Sequence, residues 1–289
     1  MLLAIATPHP SPPDSTIVVL LGTGTPRPNV DASGPATAIV VGTRTFLFDA
    51  GSGVERQLDA AHLPINGVTA LFVTHLHSDH TLGLPDLILT SWVMGRKSAL
   101  AAYGPRGLRA MTDHIMAAWS EDIAMRTNGL EHEVRDGYRV AVHEISGGVI
   151  YDSAGVRITA IPVSHGDWKE AFAYRIDTPT RSIVISGDTR PSDALAKAAR
   201  GVDVLIHEVY PESRVAPENR PGGEDWPKYL RAFHTSDVEL GRLAAGAAPK
   251  LLILHHIVRS GASDAEIVAG VRRGGFTGKV IIGADLQRY

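Results

Sequence analysis

The chain of 289 residues contains no cysteine. That absence excludes disulfides and thiolate ligands, so any bound metal must be held by nitrogen and oxygen; it does not choose between reducing and oxidising compartments. There is no excess of positive charge: 28 Lys+Arg against 31 Asp+Glu give a net charge of -3, which supplies no global field for nucleic acid. No apolar run approaches the length of a membrane span. Met1 to Ala6 is too short for a signal core and no basic residue precedes it. A soluble protein is expected, either cytoplasmic or exported after signal removal. Low-complexity tracts and short repeats are also missing.

What is present is an ordinary globular composition, 44% hydrophobic and 20% charged, with 29 Gly and 18 Pro. Residues 1–15, with Pro8, Pro10, Pro12 and Pro13, read as an extended tail, and residues 16–289 as a single domain. The most informative stretch runs from Ala70 to His80. Ala70-Leu71-Phe72-Val73 reads as a buried strand, and it stops abruptly at His75, His77, Asp79 and His80. Three imidazoles and a carboxylate within six positions are costly to desolvate unless each is partnered, and a bound cation partners all of them. On a strand, alternate residues share a face, so His75 and His77 can point together, with Asp79 and His80 following in a turn.

Further strands also end in polar side chains: Asp49, His165, Asp188, Glu208 and His256. Such endings grouped at one edge of a sheet are where α/β folds place chemistry. Gly22-Thr23-Gly24 follows a strand, but Pro26 and Pro28 come next instead of a helix, which disfavours a nucleotide loop. Leu108, Met111, Ile115, Trp119 and Ile123 recur at helical spacing, and Val209 to His234, rich in proline, reads as a long surface loop. Mixed strands and helices fall into two successive groups that divide near Gly147-Gly148. Asp49 and its neighbouring glycines are explained by turn chemistry as readily as by function.

The pattern H-x-H-x-D-H at 75–80, with Thr74 before it and Thr81-Leu82-Gly83-Leu84-Pro85-Asp86 after it, resembles the metallo-β-lactamase superfamily, in its ribonuclease Z-like and arylsulfatase-like branch. The resemblance implies an α/β (α+β) fold, a four-layered αβ/βα sandwich. It implies one metal on His75, His77 and His165, a second on Asp79, His80 and His256, and Asp188 bridging the two. His255 is adjacent to His256; the family pattern places the ligand second. Asp49 would support the site from behind. Imidazole and carboxylate suit two divalent ions, zinc by default, with manganese, iron, cobalt or nickel compatible. Two ions about 3.5–4 Å apart can hold a hydroxide for attack on an ester. Asp79 would orient it. Glu208 and His234 resemble the pair that protonates the leaving group in ribonuclease Z-like enzymes; a carboxylate beside an imidazole is expected to raise its pKa and fix its tautomer. Without a catalytic role, Glu208 would serve an ion pair.

The chain departs from ribonuclease Z in two places. Only Gly166 to Gly187 separates the motifs at His165 and Asp188, too short for the protruding tRNA arm, and the Arg-Tyr pattern after the last histidine is missing. tRNA is therefore not the expected substrate. The expected substrate is a small-molecule ester, foremost a phosphodiester, with sulfate esters, lactones and tRNA 3′-end cleavage as alternatives. A metal-binding protein without turnover is the reading from another class. No membrane partner is expected, and a homodimer is left open. Trp168, Trp226, Tyr229 and Phe233 either wall the substrate site or pack a loop.

Overall fold

The computed structural model describes residues 15–289, so all but the last residue of the expected N-terminal tail lies outside it. Alternation of apolar residues along the strands builds two sheets. The first contains β1 (Thr16–Gly22), β2 (Ala36–Val41), β3 (Arg44–Phe48), β4 (Val68–Phe72), β5 (Leu100–Gly104) and β6 (Val140–Glu144), in that order. The second contains β7 (Gly148–Ser153), β8 (Val156–Val163), β9 (Ala171–Asp177), β10 (Ser182–Ile185), β11 (Val204–Val209), β12 (Leu251–Ile257) and β13 (Lys279–Ile282). The chain passes from one sheet to the other across 145–147, at the expected division.

The period of two along each strand sorts side chains into layers. Val18 and Leu20 face the space between the sheets, with Phe48, Phe72, Phe172, Tyr174 and Ile206. Val19 and Leu21 face outward, where Leu47 and Leu71 meet α1 (Val54–Ala60) and, beyond the one-turn α2 (Ser78–Thr81), α3 (Leu84–Val93) and α4 (Leu108–Ala118). After α5 (Ser120–Asn128), the other outer face is covered by α6 (Asp193–Ala198) and, following α7 (Trp226–Phe233), by α8 (Asp237–Ala247) and α9 (Asp264–Arg273). Helix, sheet, sheet, helix is the expected four-layered arrangement. Each fully buried Leu, Ile or Phe in these layers stabilises by about 1.5–3 kcal/mol relative to exposure. The helices of the second half start firmly: Ser236 with Glu239, and Ser263 with Glu266, form reciprocal capping boxes.

Strands β3 to β6 run parallel, as do β10 to β13. Their carboxyl ends therefore fall along one edge. Four details differ from the sequence expectations. The helical repeat from Leu108 breaks at Trp119, which is exposed, and continues as α5. The expected loop 209–234 contains α7: Asp225 caps it by accepting from Lys228 N, and Pro227 sits in the first turn, where a missing N–H costs nothing. Asp79 and His80 lie on α2 and not in an open turn. Glu208 and His256 lie inside β11 and β12, with irregular pairing between His207 and Val209.

Candidate metal centre

Seven side chains drawn from both halves meet at the shared edge. His75 Nε2 and His165 Nε2 each lie 3.0 Å from His77 Nδ1. Asp79 Oδ2 lies 3.6 Å from His80 Nε2 and 3.1 Å from His256 Nε2. Asp188 stands between the two sets. Its Oδ2 is 4.0 Å from His75 Nε2 and 3.9 Å from His165 Nε2, while its Oδ1 is 3.4 Å from both His80 Nε2 and His256 Nδ1. Each set brings its donor atoms within 4.8 Å of one another, close enough to hold a metal ion.

Local backbone explains how the carboxylate reaches that position. Gly187 has φ of 57°, and a Cβ there would meet Thr74 Cβ at 2.8 Å, so only glycine lets β10 turn against the His75 segment. Gly166 likewise gives its space to the Phe233 ring, which packs beside His165 at a centroid distance of 5.0 Å.

Hydrogen bonds behind the candidate donor atoms set the tautomers. His80 Nδ1 donates to Asp49 Oδ2 at 2.8 Å, and Asp49 is itself held by Thr74 N and Thr74 Oγ1. Because Thr74 Oγ1 donates to Asp49, it accepts from His75 Nδ1, 3.0 Å away. His165 Nδ1 donates to Phe233 O at 2.7 Å. Partners of this kind leave an Nε2 free for a metal and fix the ring's orientation.

Burial holds His75 well below the ordinary histidine pKa, and takes His77 and His165 to about 4, so these three are neutral donors. His80 goes the other way: burial opposes its charge, but Asp188 and Asp49 outweigh it and raise its pKa well above the usual value. Asp188 is held well below the carboxylate range by His256 and His80, against burial. The buried atoms His80 Nε2, His256 Nδ1 and Asp188 Oδ1 have no hydrogen-bond partner. Orphaned polar atoms converging on one point are the arrangement a cation satisfies, so the donor set fits divalent metal.

Glu208 and His234 also reach this centre. Glu208 Oε1 accepts from Thr189 N at 3.2 Å and from Thr235 N at 3.0 Å, and its Oε2 lies 3.4 Å from His234 Nδ1. The expected rise in the histidine's pKa is not found. Burial lowers the pKa of His234, while burial and the charge of Asp188 push Glu208 well above its usual value. His255 is buried with both ring nitrogens unpartnered and belongs to neither donor set.

A cleft of about 600 Å³ opens over the centre, bordered by the 23–32 loop, by α7 and by Val258 to Gly261. What holds that loop leaves no mark in the local sequence. Asp285 accepts from Thr23 N, Thr23 Oγ1, Ser33 N and Gln57 Nε2 at 2.6–2.9 Å. Thr23 O in turn accepts from His256 N at 3.0 Å. No local pattern marks Asp285, because its partners are more than two hundred residues away.

Residues 44–257 match the family profile described as Beta-lactamase superfamily domain. A curated Ribonuclease Z from Mycobacterium bovis is 32% identical over 279 residues, covering 94% of this chain and 96% of that protein. Among solved structures, the metallo-beta-lactamase fold protein YhfI from Bacillus subtilis superposes with a TM-score of 0.74 at 18% identity, over 96% of this chain and 99% of that one. Human tRNase Z, short form, superposes with a TM-score of 0.70 at 22% identity, over 94% and 98%. The chain belongs to the metallo-β-lactamase superfamily, in its ribonuclease Z-like branch, and is a metal-dependent hydrolase.

Proposed function

We propose that this chain hydrolyses a phosphodiester with two divalent cations, zinc foremost. The observation that carries the reading is Asp188, whose two carboxylate oxygens face different donor sets. His75, His77 and His165 would hold one ion and Asp79, His80 and His256 the other. When bound, such a pair supplies Lewis acidity toward the ester oxygens and a water nucleophile at neutral pH. Asp79, beside His256 and His80, would orient that water for in-line attack as well as ligate. Glu208, fixed by Thr189 N and Thr235 N, passes its proton from Oε2 to His234 Nδ1 as the opposite ring nitrogen gives its own to the leaving oxygen. The histidine ends the step as it began, neutral.

The cleft volume suits a nucleotide-sized ester. A second reading, cleavage of RNA, is favoured by one observation. The Mycobacterium relative named Ribonuclease Z aligns over 279 positions with 94% of this chain, which leaves no space for a long inserted arm in that protein either. The short 166–187 interval therefore does not separate this chain from that relative. Zinc-loaded protein is expected to release p-nitrophenol from bis(p-nitrophenyl) phosphate, with His77→Ala at least 100-fold slower. Retained activity in that variant overturns the mechanism. Sulfate-ester, lactone and 3′-extended tRNA substrates, run in parallel, decide the ester class.

A further inference from the structure

Helix α7 carries Trp226, Tyr229 and Phe233 on one face, three and four residues apart. Their rings stack on one another and not on an open surface. The Arg220 guanidinium sits 4.0 Å over Trp226, Trp226 stacks on Tyr229 at 5.2 Å, and Tyr229 on Phe233 at 4.2 Å, with interplanar angles of 12° and 15° for the ring pairs. Phe233 then lies parallel to His77, 6.4 Å away. Both faces of Tyr229 are covered, so this stack has no room there for a substrate base. What remains is the edge of the ring.

Tyr229 lines the cleft together with Asp79, Asp188 and His234, and its ring centroid is 5.9 Å from that of His234. Among the described residues its hydroxyl has no hydrogen-bond partner. Burial, then the charges of Asp188 and Asp79, push the phenol to about 12, so it stays a donor at any working pH. A packing role alone would be met by phenylalanine, as at Phe233. A hydroxyl held rigid by stacking on both sides is preorganised for an acceptor that the protein itself does not provide.

We infer that Tyr229 is a substrate-binding residue whose hydroxyl donates to a non-bridging oxygen of the phosphoryl group beside His234. This assignment rests on the phosphodiesterase reading. Its test is Tyr229→Phe in the zinc-loaded full chain, which keeps the stack. The variant is expected to lose about 10- to 100-fold in kcat/KM on bis(p-nitrophenyl) phosphate. It should also bind inorganic phosphate about tenfold more weakly by calorimetry, with an unchanged Tm. Equal phosphate affinity in the two proteins overturns the assignment. Absence of turnover in the wild type overturns the phosphodiesterase reading instead, and the phosphate titration still reads Tyr229 in that case.

Discussion

His77 presents Nδ1 to His75 and His165, while Trp168 Nε1 donates to its Nε2 at 2.7 Å. A neutral imidazole has one N–H and one lone pair. With Nε2 accepting, the proton sits on Nδ1, the atom turned toward the other two histidines. Were His77 to ligate a metal through Nδ1, that proton would move to Nε2 and meet the indole N–H head-on. Trp168 would then have to turn away, and a neighbouring hollow of about 350 Å³, lined by Leu76, Arg106 and Trp168 itself, would give it space. Trp168→Phe removes the competing donor, worth about 1 kcal/mol. Its first metal should bind roughly fivefold more tightly in competition with a chelator. Zinc addition should also change the indole emission of the wild type but not of the variant. Equal affinity together with equal emission changes would show that Trp168 stays in place.

Among the elements, the 23–32 loop shows how a cleft wall depends on distant sequence. Asp285 Oδ1 takes both hydrogen bonds from Thr23, and Oδ2 takes those from Ser33 N and Gln57 Nε2. Asp285→Asn keeps the size but puts an amide N–H₂ against existing donors, at a cost of about 1–3 kcal/mol. Faster amide exchange across Thr23 to Ser33 and a higher KM are the expected results; unchanged exchange would mean that other contacts hold the loop. This anchor was not legible in the sequence, whereas the strands and the histidine cluster were. His75, His77, Asp79 and His80 stand out because their chemistry breaks a local apolar period, and Asp188 and His256 because each follows an apolar run, although His256 lies within β12 and not at its end. Helix α7 was hidden by Pro217, Pro221 and Pro227, since proline reads as loop unless the cap at Asp225 is known to precede it. The downward shift of His234 was also hidden, because depth of burial is a tertiary quantity that adjacency to a carboxylate does not reveal.

For the whole molecule, stability against pH turns on a buried acid away from the metal centre. Glu55, on α1, is only 3% exposed, and both its oxygens lack a donor when ionised. Burial, then a shared hydrogen bond with Asp86 of α3, raises its pKa from 4.5 to about 8. Below pH 4.5 the folded and unfolded chains both hold the proton and nothing is lost. Between 4.5 and 8 only the folded chain holds it, so the unfolded chain binds fewer protons and stability falls as pH rises. Above 8 the full penalty is present, a few kcal/mol at roughly 1.4 kcal/mol per unit. Glu55→Gln mimics the protonated acid, because its amide can donate to Asp86 at every pH. The variant should therefore melt close to the wild type at pH 5 and about 5 °C or more above it at pH 9. Chelated, metal-free protein should show the same widening gap, because the pair does not touch the donor sets. A gap that stays constant from pH 5 to 9 would mean that Glu55 is ionised throughout and that the two helices accommodate the charge.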